Sequence, residues 1–222
     1  MLSRLSEVVS ELTSDPIFFL LKIWAILFSL ICHEVAHGYV AKKCGDPTAQ
    51  MFGRLSFNPL KHLDPIGTVC MIFFGFGWAK PVPVNPRNFR KFRRDDVLVS
   101  LAGITANLIL YLCARVLFFG LYAAFGYGSV IQTIGKVLVY LASINISLAV
   151  FNLLPIPPLD GYHVVNDLIL KGRFHPSGEV MRWLKIALLV VCFCTSWITG
   201  LMSTIISFVD GGVCDLLQAI FF

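Results

Sequence analysis

His33, Glu34 and His37 lie in the pattern His-Glu-Val-Ala-His. On a helix, residues four apart stand one above the other, so both imidazoles reach one Zn²⁺ while Glu34 sits beside the remaining coordination position. That combination suits hydrolysis, in which a metal activates water and a carboxylate moves its proton. Five residues with three fixed positions also arise by chance in soluble chains. Here the pattern lies in an apolar run that begins at Ile17, where an ionisable group costs about 2.5–3.5 kcal/mol or more and persists for a purpose. Cys32 adjoins His33 but points about 100° away around a helix, which sets it aside as a ligand.

A catalytic zinc needs a third protein ligand and an open fourth position. Asp160 is the first choice. It closes the segment Phe151-Asn152-Leu153-Leu154-Pro155-Ile156-Pro157-Pro158-Leu159-Asp160-Gly161, where three prolines remove backbone donors and break a helix just after a hydrophobic span. Broken backbone at membrane depth is tolerated only against protein or a water-filled cavity, and there a carboxylate can be hydrated and metal-bound. The plainer reading is that the prolines end one helix and Asp160 caps the next, starting near Tyr162. His62, Asp64, His163 and Asp167 are competing ligands; His163, one turn beyond Asp160, orients it or faces lipid headgroups.

The elements that must carry these residues are membrane helices. The chain is 57% hydrophobic and only 14% charged, with a mean hydropathy of +0.78, against a usual apolar share of about 45–50% and a charged share of about 25%. Hydrophobic stretches fall at about 17–41, 66–79, 97–125, 131–154 and 183–209. All but the second can cross a core of about 30 Å. The second is short, holds Gly67, Gly75 and Gly77, and ends at Pro81-Val82-Pro83, which predicts a re-entrant or strand-like segment. Basic residues support this: Lys42, Lys43, Arg54 and Lys61 precede it, and Lys80, Arg87, Arg90, Lys91, Arg93 and Arg94 follow, so a re-entrant path puts both loops in the cytoplasm. Lys171, Arg173, Arg182 and Lys185 then fall on that side, and a tail with Asp210 and Asp215 on the other. The expectation is an all-α integral membrane protein, a polytopic bundle of about four spanning helices with a broken helix at the metal site, forming one domain over residues 1–222.

The net charge of +5 reads as topology and contact with anionic lipid, and no basic helix or aromatic-basic groove points to nucleic acid. Seven cysteines, an odd number without CxxC pairs, read as buried thiols. A cleavable signal peptide is not expected, because the first apolar run carries Lys22 and continues into the His-Glu pattern without an A-x-A site.

Three segments together resemble the site-2 protease family of intramembrane zinc metalloproteases: His33 to Gly38, Ala102-Gly103-Ile104-Thr105-Ala106-Asn107, and Phe151 to Gly161. Their order and spacing are similar to those of its bacterial and archaeal members, and the likeness covers Ile17 to Leu170. The resemblance implies that His33, His37 and Asp160 bind zinc and that Glu34 is the catalytic carboxylate. It implies a catalytic role for Asn152 in handling the substrate carbonyl or oxyanion. Where the family has Gly-Pro-x-x-x-Asn, this chain has Ile104 in place of proline, so Asn107 is equally a packing residue or an interhelical hydrogen-bonding partner. No insertion is long enough for the PDZ domain that many relatives carry, and the chain resembles a minimal form.

The expected function is hydrolysis of a peptide bond within or beside a transmembrane helix of a membrane-protein partner, in a bacterial or archaeal cell membrane, with the basic loops and the site towards the cytoplasm. A substrate helix must unwind before attack, since its carbonyls are tied up in hydrogen bonds. Gly53 to Phe57 and Trp78 to Val84 are candidates to hold the unwound strand by edge pairing, or they are interfacial loops with Trp78 as an aromatic anchor. A metal-ion transporter and a non-catalytic zinc-bearing membrane scaffold are the alternatives. Neither needs Glu34 as a base.

Overall fold

The computed structural model describes residues 2–74, 79–174, 176–194 and 197–222. Helix α1 is Leu2–Ser14 and α2 is Pro16–Cys44. Proline at the first position and the Asp15 carboxylate, which accepts from Phe18 N at 3.0 Å, start α2; Gly45, at a φ of 112°, stops it in a left-handed conformation that L side chains resist. Then come α3 (Thr48–Met51), α4 (Pro65–Phe74), α5 (Phe92–Phe125), α6 (Ser129–Leu153), α7 (Asp160–Leu168), α8 (Gly178–Cys194) and α9 (Trp197–Phe221). Among the described residues there is no strand, only an isolated bridge between Leu63 and Ala79.

Among the described residues four helical segments are long and apolar enough to cross a membrane: Pro16–Cys44, Phe92–Phe125, Ser129–Leu153 and Gly200–Phe221. The number matches the expectation, but the last position does not. The stretch expected at 183–209 is divided between α8 and α9, and the spanning segment runs on to Phe221. Asp210, expected in a polar tail, is inside α9, where Tyr111 Oη and Arg115 Nε each donate to its Oδ1 at 2.8 Å and Arg115 Nη2 donates to Oδ2. Pairing removes the charge that made this region look like a tail. Removing one partner strands the other: Asp210→Ala is expected to cost roughly 3–5 kcal/mol, and the apolar pair Arg115→Met/Asp210→Leu to recover most of it. Thermal unfolding of the two variants in one detergent checks this, and equal losses would contradict it.

Helix α4 covers part of the stretch expected to be re-entrant. Its ten residues rise about 15 Å, half of the hydrocarbon thickness. Gly75, Gly77 and Trp78 lie outside the described residues.

Helices α2 and α5 run antiparallel, since His37 meets Val99 while the more N-terminal His33 meets Gly103. The end of α2 and the start of α5 are joined where Arg90 N donates to Cys44 O at 3.1 Å, so residues 45–91 leave and return at one end of the bundle. Asp46, fully buried, holds that return: it accepts from Asn85 N at 2.7 Å, Asn88 Nδ2 at 2.8 Å and Thr48 N at 3.1 Å. Those donors hold its carboxyl below the ordinary range despite the opposing effect of burial. Helix α6 packs on both α5 and α2. Tyr111 and Ala114 form a core with Ala142, Ile146 and Val150, against which α9 lays Met202, Ile206 and Val213. Asn145 Nδ2 reaches across to Ser29 Oγ at 2.8 Å, an interhelical bond of about 0.6 kcal/mol that sets the α2–α6 register.

Candidate metal centre

His33 and His37 share one face of α2, and the face meets α5 at Gly103. A Cβ there would lie 2.5 Å from His33 Cε1 and 2.5 Å from His37 Nε2, so a bare backbone is what lets the two rings lie against α5. His37 Nδ1 is 2.7 Å from Val99 O. A carbonyl only accepts, so Nδ1 carries the proton and Nε2 keeps its lone pair free, the orientation a ligating histidine needs.

Asp160 arrives from the other side. After α6 the chain doubles back through Leu154–Leu159, with Leu159 N bonded to Ile156 O at 2.8 Å. Gly161 passes so close to the end of α6 that a Cβ would lie 2.2 Å from Leu153 O. Asp160 is the first residue of α7, and its side chain does not cap that helix; the plainer reading of this aspartate does not hold. Its Oδ2 lies 3.2 Å from His33 Nε2 and 3.3 Å from His37 Nε2, and the two Nε2 atoms are 2.9 Å apart.

The donor set fits a zinc ion. Tetrahedral bonds of 2.0–2.1 Å separate ligand atoms by about 3.3 Å, within a few tenths of an ångström of each of these distances. Among the described residues Asp160 Oδ2 is buried with no hydrogen bond of good geometry, and His33 Nδ1 is buried without a partner. An oxygen aimed at two ring nitrogens without a directional bond is an arrangement that a shared cation satisfies.

Glu34 is anchored to the loop that follows α4. Its Oε2 accepts from Val82 N at 2.7 Å, in the Lys80–Val84 stretch. Arg54 Nη2 donates to Lys80 O at 2.7 Å and Pro81 O at 3.2 Å, and Lys80 N donates to His62 O at 2.7 Å. The Gly53–Phe57 and 79–84 segments are thus tied together through the Arg54 side chain, with Lys80 also bonded to His62, and among the described residues they do not pair as strands. His62, a competing ligand in the sequence, is buried in this loop with Nε2 at 2.7 Å from Ser56 O. Asp64 accepts from Gly67 N at 2.9 Å and starts α4.

Asn152 is in the last turn of α6, where its Nδ2 donates to Leu148 O at 2.9 Å; among the described residues no hydrogen bond links it to His33, His37 or Asp160. Asn107 is fully buried, and neither its amide nitrogen nor its oxygen has a hydrogen-bond partner among the described residues. His163 Nδ1 is 3.2 Å from Asp96 Oδ2, a contact that raises the imidazole's pKa.

Asp167, the last competing ligand, is buried one helical turn beyond His163. Burial first, and then the neighbouring Asp96 carboxyl, push its pKa up to about 6 from 3.8. The folded chain therefore takes up a proton between those values, and stability falls as pH rises through that window, with the full deficit above it. Asp167→Asn is expected to raise the apparent Tm at pH 8 and to leave it nearly unchanged at pH 4, the difference being on the order of 1–3 kcal/mol. A Tm difference independent of pH would refute the repulsion.

Comparison with known proteins agrees with this geometry. Residues 122–194, which contain Asn152 and Asp160, match the description of Peptidase family M50. YwhC of Bacillus subtilis is 48% identical over 152 residues, 66% of this chain and 68% of its own length. Rip2 of Mycobacterium tuberculosis is 32% identical over 209 residues, 88% of this chain and 76% of its own, so the aligned region spans both residues 33–37 and Asp160. MJ0611 of Methanocaldococcus jannaschii is 30% identical over 148 residues, 67% of this chain and 70% of its own. All three carry the name of a candidate zinc metalloprotease. No solved structure shows a significant match. The chain is a helical membrane protein of the metallopeptidase class. It belongs to peptidase family M50 and is a zinc metalloprotease.

Proposed function

We propose that this zinc metalloprotease hydrolyses a peptide bond within or next to a transmembrane segment of a membrane-protein substrate, with His33, His37 and Asp160 as zinc ligands. The observation that carries the reading is depth. His33 lies about 16 Å before the end of α2, at 1.5 Å per residue, inside a segment long and apolar enough to span. A site there is reached by a chain that is itself in the bilayer.

His33, His37 and Asp160 would hold the zinc, which when bound would supply Lewis acidity and make water more acidic. Glu34, one residue from His33, would accept a proton from water and return it to the leaving amine. Val99 O keeps the His37 ring turned so that Nε2 faces the centre. Asn152, by leaving its bond to Leu148 O, donates to the developing oxyanion. The tied segments at 53–57 and 79–84 hold the unwound stretch of substrate, whose backbone groups need partners once its helix opens. The basic ends of α2 and α5 face the cytoplasm of a bacterial or archaeal cell.

The test is to incubate the purified protein in detergent with a panel of single-span membrane proteins and to map the cuts by mass spectrometry. Cleavage inside or within a few residues of the apolar segment, abolished by a chelator and restored by zinc, is expected. Cuts confined to distant soluble regions would overturn the assignment.

A further inference from the structure

The cytoplasm-proposed end of the α2–α5 pair carries a groove of about 850 Å³, within the size range of ligand sites, roughly 300–1,000 Å³. Its two ends differ in chemistry. Lys43, Arg90, Lys91 and Arg94 gather at the mouth, while Tyr39 and Val40 of α2 and Leu98, Leu101, Ala106 and Ile109 of α5 form the walls.

The charge at the mouth is unbalanced. Among the described residues none of the four cations is in a salt bridge. The one carboxylate present, Asp95, is turned to the start of α5, where its Oδ2 accepts from Lys91 N at 2.8 Å. The mouth is also rigid: Arg90 N is bonded to Cys44 O, and Phe89 is buried against Ala41, Cys44 and Val99. The walls have a definite length. From Leu98 to Ile109, α5 rises about 16 Å, about half of a 30 Å hydrocarbon core and so the depth of one leaflet.

We propose that this groove binds one anionic phospholipid, with its phosphate and headgroup charge among Lys43, Arg90, Lys91 and Arg94 and an acyl chain along the Leu98–Ile109 face of α5. A soluble anion satisfies the mouth but leaves the apolar walls empty, and a zwitterionic lipid leaves most of the positive charge unmatched. Each basic group at a membrane surface contributes about 1 kcal/mol towards anionic lipid. The bound lipid lies against the same two helices that hold His37 and Gly103.

The experiment uses the purified full chain in detergent with equal phosphatidylglycerol and phosphatidylcholine of matched chains, and counts retained lipids by native mass spectrometry. Wild type is expected to keep one phosphatidylglycerol in preference. Arg90→Gln/Arg94→Gln is expected to weaken retention about thirtyfold, the effect of two such charges. Ala106→Trp, which fills the groove and spares the charges, is expected to weaken it as well, and Arg182→Gln/Lys185→Gln, on α8, to change nothing. Equal retention of the two lipids overturns the proposal, and so does retention unaffected by Ala106→Trp, which would mean surface charge alone. Displacement of the lipid by millimolar inorganic phosphate would overturn it in favour of a phosphate site. Should the double variant fail to fold by circular dichroism, the single variant Lys91→Gln, with an expected loss of about fivefold, decides the same point.

Discussion

Glu34→Gln is expected to lower peptide hydrolysis by about 10²–10⁴-fold while zinc stays bound at one equivalent. The separation follows from what the carboxylate touches. Glu34 accepts a hydrogen bond from Val82 N, and a glutamine oxygen accepts the same bond, so the loop stays anchored. What glutamine cannot do is take a proton from water near neutral pH. The two readouts are turnover on a cleaved substrate and zinc content by elemental analysis of the same preparation. Unchanged turnover would remove Glu34 from the chemistry and leave the transporter or scaffold readings standing; loss of zinc together with activity would make the residue structural.

The second large effect is expected at Gly103→Ala, where the added methyl meets His33 Cε1 and His37 Nε2 at 2.5 Å. Neither side can retreat cheaply. His37 is pinned by Val99 O on the same helix that carries the new methyl, and α5 is locked between α2, α6 and α9 by the Tyr111–Ile146 core and the Arg115–Asp210 pair. The rings must rotate out of the geometry that converges on Asp160. Zinc affinity is expected to fall at least tenfold to a hundredfold, the range seen when groups that orient metal ligands are lost, and activity to fall with it. A competition titration against a chromogenic chelator measures this. Gly120→Ala on the same helix, whose methyl would meet Phe221 at an ordinary 3.5 Å, is the control and is expected to bind zinc like wild type. Equal affinity in all three proteins would mean that α5 yields and that the close approach has no role.

Much of the site was legible because the relevant spacings are local. His33 and His37 are one turn apart on a helix that any apolar run of this length must form in lipid, so their convergence is built into 3.6-residue periodicity. Asp160 was selected for its proline-broken setting, and Gly161 then lets the chain fold back tightly enough to deliver it. Other features were hidden because they depend on partners far away in the chain. The Arg115–Asp210 pair joins residues 95 apart; read singly, Asp210 marks a polar tail, and its pairing with Arg115 inside the bundle is not visible in the local sequence. Asn145 with Ser29 is a similar case. His62, with metal-ligand chemistry in a polar loop, instead donates to Ser56 O, and nothing in its immediate neighbours separates the two uses.

By itself the sequence determined the class of environment, the number of crossings and the two-histidine half of the metal site, because hydrophobicity and helical period act over a few neighbouring residues. The tertiary structure decided the rest: which carboxylate completes the trio, which way the His37 ring turns, where the last span ends and where Glu34 is anchored. Each of these depends on surfaces brought together by packing of α5 against α2, α6 and α9, and distance along the chain carries no information about which distant groups a packed bundle will place at 3 Å.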